Sequence, residues 1–281
     1  MARRANGVVE MPDRRGVGRK SMSDFDPGQE FDRAELGDRR RTARVVKVAG
    51  QLAKEAERSL PGLMSSGDLE GAYRLLSNEA VDYQRLFAAH ADRVAERSAG
   101  VGRVFVIHDT TELAFPLRGG QLREGLSKLS TNRQGFYLHS SLVVADDESR
   151  CPLGTIAAQA YVHRSQLSAP EALAFWKKRH GLFDNEHDRW LAGVQEAERR
   201  LAGSERVVHL CDREGDSYPL LSTLVARGHQ FVIRLTHDRQ VQSYAGLLEP
   251  VSEALAWSTW RRTTRTLPVA ARQGDRSDKD K

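Results

Sequence analysis

The chain has 281 residues, 40% of them apolar and 29% charged, a globular composition that excludes fibrous and wholly disordered classes. Its net charge is +5, and no uninterrupted apolar run approaches the roughly 20 residues that a membrane-spanning helix needs. Two cysteines, Cys151 and Cys211, are too few for a disulfide framework or a zinc cluster, so each is expected to be a small buried hydrophobe in a reducing cytoplasm.

Residues 1–28 are rich in Arg, Gly, Pro and Asp with few apolar anchors, which predicts a disordered basic arm. No apolar segment of a signal peptide follows the basic N-terminus, so a cytoplasmic location is expected. Asp38 is placed to cap a helix on which Val45, Val46, Ala49, Leu52 and Ala53 recur at helical spacing, and "SLPGLMSSGD" at 59–68 ends it. The same helix carries Arg39, Arg40, Arg41, Arg44 and Lys47. These five cannot all face a core, so several must meet solvent or the phosphates of a polyanion such as DNA. "DLEGAYRLLSNEAV" and "DYQRLFAAHADRVAER" predict two more helices, making residues 29–100 a small all-helical unit. Tyr73 and Arg74 lie in the first of these, where either DNA contact or, for Tyr73, core packing is open.

After "SAGVG" the texture changes. "RVFVIHD" (103–109) reads as a short buried strand, followed by strands at "GFYLHSSLVVAD" and "LGTIAAQAYVHR". Helix is predicted from Pro170 to Gly203, with Trp190 as core, then strand at "RVVHLCD", helix at "DSYPLLSTLVARG", strand at "QFVIRL" and a short helix at "YAGLLEPVSEALAW". The order β-β-β-α-β-α-β-α implies an α/β fold, a mixed sheet with flanking helices. If the fourth strand lies parallel beside the first, the crevice at their carboxyl ends is a topological switch point, where open α/β sheets place ligands.

Asp109 ends the first strand and Asp212 the fourth. They are either ordinary strand-end carboxylates or a pair sharing a divalent cation, for which oxygen donors favour Mg²⁺ or Mn²⁺. Glu214 and Asp216 suit the positive end of a following helix. His108 and His139 sit among apolar residues and are expected to be core or rim histidines. A metal-dependent phosphohydrolase could draw on "DTT" at 109–111, but it would leave the helical unit unexplained.

The ordered set "LGDRRRTARVVKVAGQLAK", "EGAYRLLSNEAV", "HDTTELAF", "LHSSLVV", "NEHDRWLAGV", "CDREGDSYPLL" and "FVIRLTHDR" resembles the bacterial insertion-sequence DDE transposases of the Tn-five type. The resemblance implies a ribonuclease-H-like catalytic core after a helical DNA-binding domain. It also implies double-stranded transposon-end DNA as partner, a homodimer, Mg²⁺ or Mn²⁺, and a nucleoid-associated protein. Asp109 and Asp212 match two of the family's three catalytic, metal-binding carboxylates. The third, a glutamate in a Tyr-x-x-Arg-x-x-x-Glu motif, is not found, so the third carboxylate is unknown; Glu249 and Glu253 are substitutes interrupted by Pro250. The implied organisation is an arm (1–28), a helical domain (29–100), an incomplete core (101–256) and the start of a truncated β insertion (257–281). A chain cut before the glutamate would be inactive alone, and a DNA-binding remnant or regulator of transposition is the alternative.

Overall fold

The computed structural model describes residues 26–123, 125–147, 150–162, 186–242 and 246–256. The predicted arm up to residue 25, the segment 257–281 and the first part of the predicted helix from Pro170 lie outside the described residues. Contacts divide the chain into two units, Met1–Arg234 and Leu235–Lys281.

In the first unit, a 3-10 turn at Gln29–Phe31 leads into α1 (Arg39–Lys54), the single turn α2 (Leu60–Leu63), α3 (Ser66–Leu76) and α4 (Tyr83–Ala99). Asp38 accepts from the Arg40 backbone N–H at 2.8 Å and so caps α1 as expected. Ser65 and Asp82 cap α3 and α4 in the same way. Ala34, Leu36, Val45, Leu75 and Ala89 close a small core between these elements.

A second core lies where α4 meets the sheet. Ala91 and Val94 join Val104, Val106, Val143, Ile156 and Ala157 with Ala197 and Leu201. One helix thus serves both cores, because its 3.6-residue period sends Ala89 one way and Ala91 and Val94 another. Gly154 permits the close approach of α4. Its φ is +129°, and a Cβ there would lie 2.6 Å from Val94 Cγ2.

The sheet comprises β1 (Val104–Pro116), β2 (Ser127–Ser130), β3 (Arg133–Ala145), β4 (Pro152–Tyr161), β5 (Val207–Cys211) and β6 (Gln230–Ile233). Its path is β3-β1-β5-β6, with β2 and β4 both pairing β3. β1 is antiparallel to β3 and parallel to β5, and β5 is parallel to β6. The predicted pairing of the first and fourth strands is therefore present. Helices α5 (Glu186–Arg200) and α6 (Tyr218–Ala226) flank it, with Trp190, Val194, Cys211, Leu220 and Leu224 buried together. Trp190 is core, at 2% exposure.

Three elements differ from expectation. β1 runs on to Pro116, because "TTELAF" pairs with Gln134–His139 of β3 although it buries no apolar face. β2 is too short and polar to show a period. In the second unit, the helix expected at 244–257 is a hairpin of β7 (Gln240–Gln242) and β8 (Leu248–Pro250), followed by α7 (Val251–Ala256). Pro250 cannot donate within a helix and closes the strand instead. Glu249 consequently sits on a strand and only Glu253 on a helix.

Candidate nucleic-acid interface and carboxylate pair

The basic cluster of α1 divides by what each side chain touches. Arg41 turns inward, its Nη1 donating to the Leu36 carbonyl at 2.9 Å. Lys47 donates to Asp68 Oδ1 at 2.6 Å and Arg44 to the same oxygen at 3.2 Å, joining α1 to α3. Donation by Lys47 holds the Asp68 carboxyl below its ordinary range, against a smaller opposing effect of burial. The Arg44 guanidinium lies over Gly71, where a Cβ would come within 2.7 Å of its Cζ. Arg39 and Arg40 are exposed and have no ion-pair partner among the described residues.

On α3 and its C-cap, Ser66, Leu69, Glu70, Tyr73, Arg74 and Ser77 line an open stretch of surface. They recur at three- and four-residue spacing, so one stripe of the helix faces outward. Ala72 and Leu75 bury the other side. Tyr73 is 49% exposed, which answers the packing question left by its sequence. Arg74 is paired with Glu70 one turn earlier, at 2.5 Å. A half-exposed aromatic ring, a guanidinium and two hydroxyls on one helix face are groups that can meet base edges and phosphates.

Asp109 and Asp212 each come directly after the last paired residues of adjacent parallel strands, His108 and Cys211. Neighbouring strands lie about 4.8 Å apart, so these two residues start side by side. His108 and Cys211 are buried whereas Asp109 and Asp212 are exposed, which puts both carboxylates on the opposite face of the sheet. Asp212 Oδ1 accepts from the Glu214 N–H at 2.9 Å and caps the 3-10 turn Arg213–Gly215. Two hard oxygen donors suit a hard divalent cation that keeps most of its water. No group of three or more His, Cys, Asp or Glu able to hold a metal ion is found among the described residues. Glu249 and Glu253 belong to the second unit.

Residues 28–81 match the transposase DNA-binding family model. The matched segment runs from the 3-10 turn through α1, α2 and α3, and it contains all seven of the basic and aromatic residues discussed above. Among solved structures, the chain is similar to the piggyBac transposase synaptic complex with hairpin DNA, at 11% identity and a TM-score of 0.37. That likeness covers 67% of this chain and 37% of the other, and it is too slight to carry the fold or the function. No helix among the described residues is long and apolar enough to cross a membrane.

Beneath the carboxylates lies a polar chain whose connections the sequence did not reveal. Ser141 Oγ lies 2.9 Å from His108 Nδ1, His108 Nε2 lies 2.9 Å from His209 Nδ1, and His209 Nε2 lies 2.8 Å from Glu198 Oε1. Burial, then the neighbouring His209 and His139, push the His108 pKa well below its ordinary value. Burial and the Arg189 charge bring His139 down to about 4. His139 Nδ1 meets Thr110 Oγ1 at 2.9 Å, while its buried Nε2 has no hydrogen-bond partner among the described residues. The expectation of core histidines holds for both. The only hint in the sequence was an alternation placing His108 and His209 on inward positions of their strands.

Cys211 is buried as expected, and burial, with the Asp212 charge, pushes its thiol up to about 12. Cys151 is only half-buried, contrary to expectation, because it precedes β4 in a surface turn.

Proposed function

We propose that this chain is a transposase-type protein that binds double-stranded transposon-end DNA through residues 28–81, with Arg39 and Arg40 of α1 and Tyr73 and Arg74 of α3 toward the duplex. The observation that carries the reading is the outward stripe of α3, with Arg39 and Arg40 of α1 exposed and without an ion-pair partner among the described residues, inside a segment matching the transposase DNA-binding family. Arg44 and Lys47, shared with Asp68, set the angle between α1 and α3 and contribute less to the phosphate contacts.

Within the same reading, Asp109 and Asp212 are two of the metal-binding carboxylates of a DDE, ribonuclease-H-like site of the Tn-five type. The strand order, with a parallel β1–β5 pair ending in both aspartates, supports it. They would hold Mg²⁺ or Mn²⁺, which supplies positive charge to a phosphodiester undergoing hydrolysis or strand transfer. The aspartates orient the ion, and the Glu214 N–H fixes one oxygen of Asp212. A homodimer is part of this proposal.

The absence of a third carboxylate beside the pair, among the described residues, favours the second reading: a DNA-binding regulator of transposition without strand cleavage. Incubating the full chain with duplex DNA carrying a candidate transposon end and Mg²⁺ or Mn²⁺ tests both. Binding lost in Tyr73→Ala/Arg74→Ala supports the interface, and its persistence in that folded variant contradicts it. Nicking that disappears in Asp109→Ala assigns the catalytic reading; binding without nicking assigns the regulator.

A further inference from the structure

We propose that Ser141, His108, His209 and Glu198 form a register lock between β1 and β5, positioning residues that keep Asp109 and Asp212 level with each other. The proposal rests on the carboxylate-pair reading only for what the aspartates do, not for the lock itself.

The need for a lock follows from the strands. Facing the helices, β1 offers Val104, Val106 and His108, and β5 offers Val207, His209 and Cys211. Backbone hydrogen bonds of a parallel pair are evenly spaced and do not distinguish one register from another displaced by two residues. The one apolar pair on this face, Val104 opposite Val207, discriminates weakly. A displacement of two residues would move one aspartate about 6.6 Å along the strand direction, at about 3.3 Å per residue. The pair would then no longer be adjacent.

The polar chain recognises one register because its ends are anchored outside the two strands. Ser141 belongs to β3, where it is the register partner of His108, and Glu198 belongs to α5. The bond between the two histidines runs diagonally, since His108 is level with Cys211 and His209 with Val106. Sliding β5 by two residues moves His209 relative to both His108 and Glu198. Two of the three side-chain bonds are then lost inside the core.

Proton accounting shows that the chain is satisfied throughout. The Glu198 carboxylate only accepts, so His209 Nε2–H donates to it, and this donation is the main cause of a lowered Glu198 pKa. In the Nε2–H tautomer, His209 accepts at Nδ1 from His108 Nε2–H, and His108 Nδ1 accepts from the Ser141 hydroxyl. Each bond has one donor and one acceptor, the condition under which a buried polar network specifies a structure rather than weakening it. Glu198 Oε1 also lies 3.2 Å from His229 Nδ1. Gly193 of α5 leaves the room required. A Cβ there would lie 3.1 Å from Ser141 Oγ, 3.2 Å from His139 Nε2 and 3.4 Å from His108 Nδ1.

The test reads register directly. In the full chain with Cys151→Ser and Cys211→Ala, cysteines are introduced by Asp109→Cys and Asp212→Cys, and disulfide formation is followed under mild oxidation. Side-by-side strand positions are within the 4.4–6.8 Å Cα range of a disulfide, so cross-linking should be rapid. Adding His108→Leu and His209→Leu, with Ser141→Ala so that no hydroxyl is left unpaired in the core, removes the polar chain while keeping those positions apolar. The lock predicts that the cross-linking rate then falls about tenfold, since all three side-chain bonds that distinguish the registers are gone and the displaced register becomes the major one. An unchanged rate in the folded variant overturns it. Should the triple replacement fail to fold, Ser141→Ala alone removes one anchor only, and the same fall or constancy decides. Nitrogen NMR provides a signature that packing alone would not give: His108 and His209 each protonated at Nε2 and bare at Nδ1. The opposite tautomers would contradict the chain. Mn²⁺ binding to the chain with both aspartates intact is measured in parallel. If cross-linking responds to the histidines while Mn²⁺ does not bind, the lock stands and the metal reading falls.

Discussion

Replacing Glu30 by Gln should cost the first unit a large part of its stability. Glu30 is 6% exposed, in the 3-10 turn that opens the matched segment. Its carboxylate accepts from both Arg97 Nη atoms and from His90 Nδ1 at 2.8 Å. Arg97 Nε donates to the Leu153 carbonyl at 2.9 Å, and the Thr155 N–H donates to His90 Nε2 at 3.2 Å. One buried carboxylate therefore joins the N-terminal turn, α4 and β4. Breaking a buried pair costs about 3–5 kcal/mol. Arg97 remains 31% exposed and can recover some water, which lowers the expected loss to about 2–3 kcal/mol. At about 2–4 °C per kcal/mol for a unit of this size, Tm should fall by about 5–10 °C. Burial raises the Glu30 pKa, but the bonds from His90 and Arg97 outweigh it and leave the group below its ordinary value. A depressed carboxyl stabilises above its unfolded pKa and loses that contribution as pH falls through the folded one. The gap between wild type and Glu30→Gln, measured by urea or thermal unfolding, should thus be full at neutral pH and close in acid. A loss below about 0.5 kcal/mol, the range of an ordinary surface change, would refute the reasoning.

Stability should also decline between about pH 6.5 and 4, because His108 and His139 are held neutral when folded but take up protons when unfolded. His139→Leu should flatten that decline in pH-dependent denaturation, and an unaltered profile would show that His139 does not contribute. Thiol titration of the native chain near pH 8 should modify Cys151 and leave Cys211 intact until denaturant is added, and immediate reaction of both would contradict the burial of Cys211. Gly154→Ala should destabilise by about 1–3 kcal/mol through its positive φ and the Val94 clash. A neutral result would show that α4 does not seat on β4 as described.

Much of this was legible because the informative residues obey short-range periods. Val45 and Leu75 mark helix faces, Asp38 marks a helix start, and the mainly apolar runs at 104–107 and 207–211, the second broken by His209, mark adjacent strands ending in aspartates. The extension of β1 through Thr110–Pro116 was not legible, because only its pairing with β3 makes those polar residues a strand. The β7–β8 hairpin was hidden for a related reason: Leu247, Leu248 and Val251 fit a helical spacing that Pro250 forbids. At the candidate interface, sequence could count five basic residues on α1 but could not assign Asp68, from a different helix, to two of them. The Ser141–His108–His209–Glu198 chain joins four elements, and no local pattern announces such a contact.

The central claim, that the matched segment meets duplex DNA through the exposed Arg39 and Arg40, is tested most directly by the salt dependence of binding. A fluorescent linear duplex is titrated with the full chain at a series of salt concentrations, and the same is done with Arg39→Ala/Arg40→Ala. Each lost phosphate contact should reduce the slope of log K against log salt by about 0.9, so the double variant should bind more weakly with a slope smaller by about 1.8. Equal affinity and equal slope in the folded variant would contradict the account.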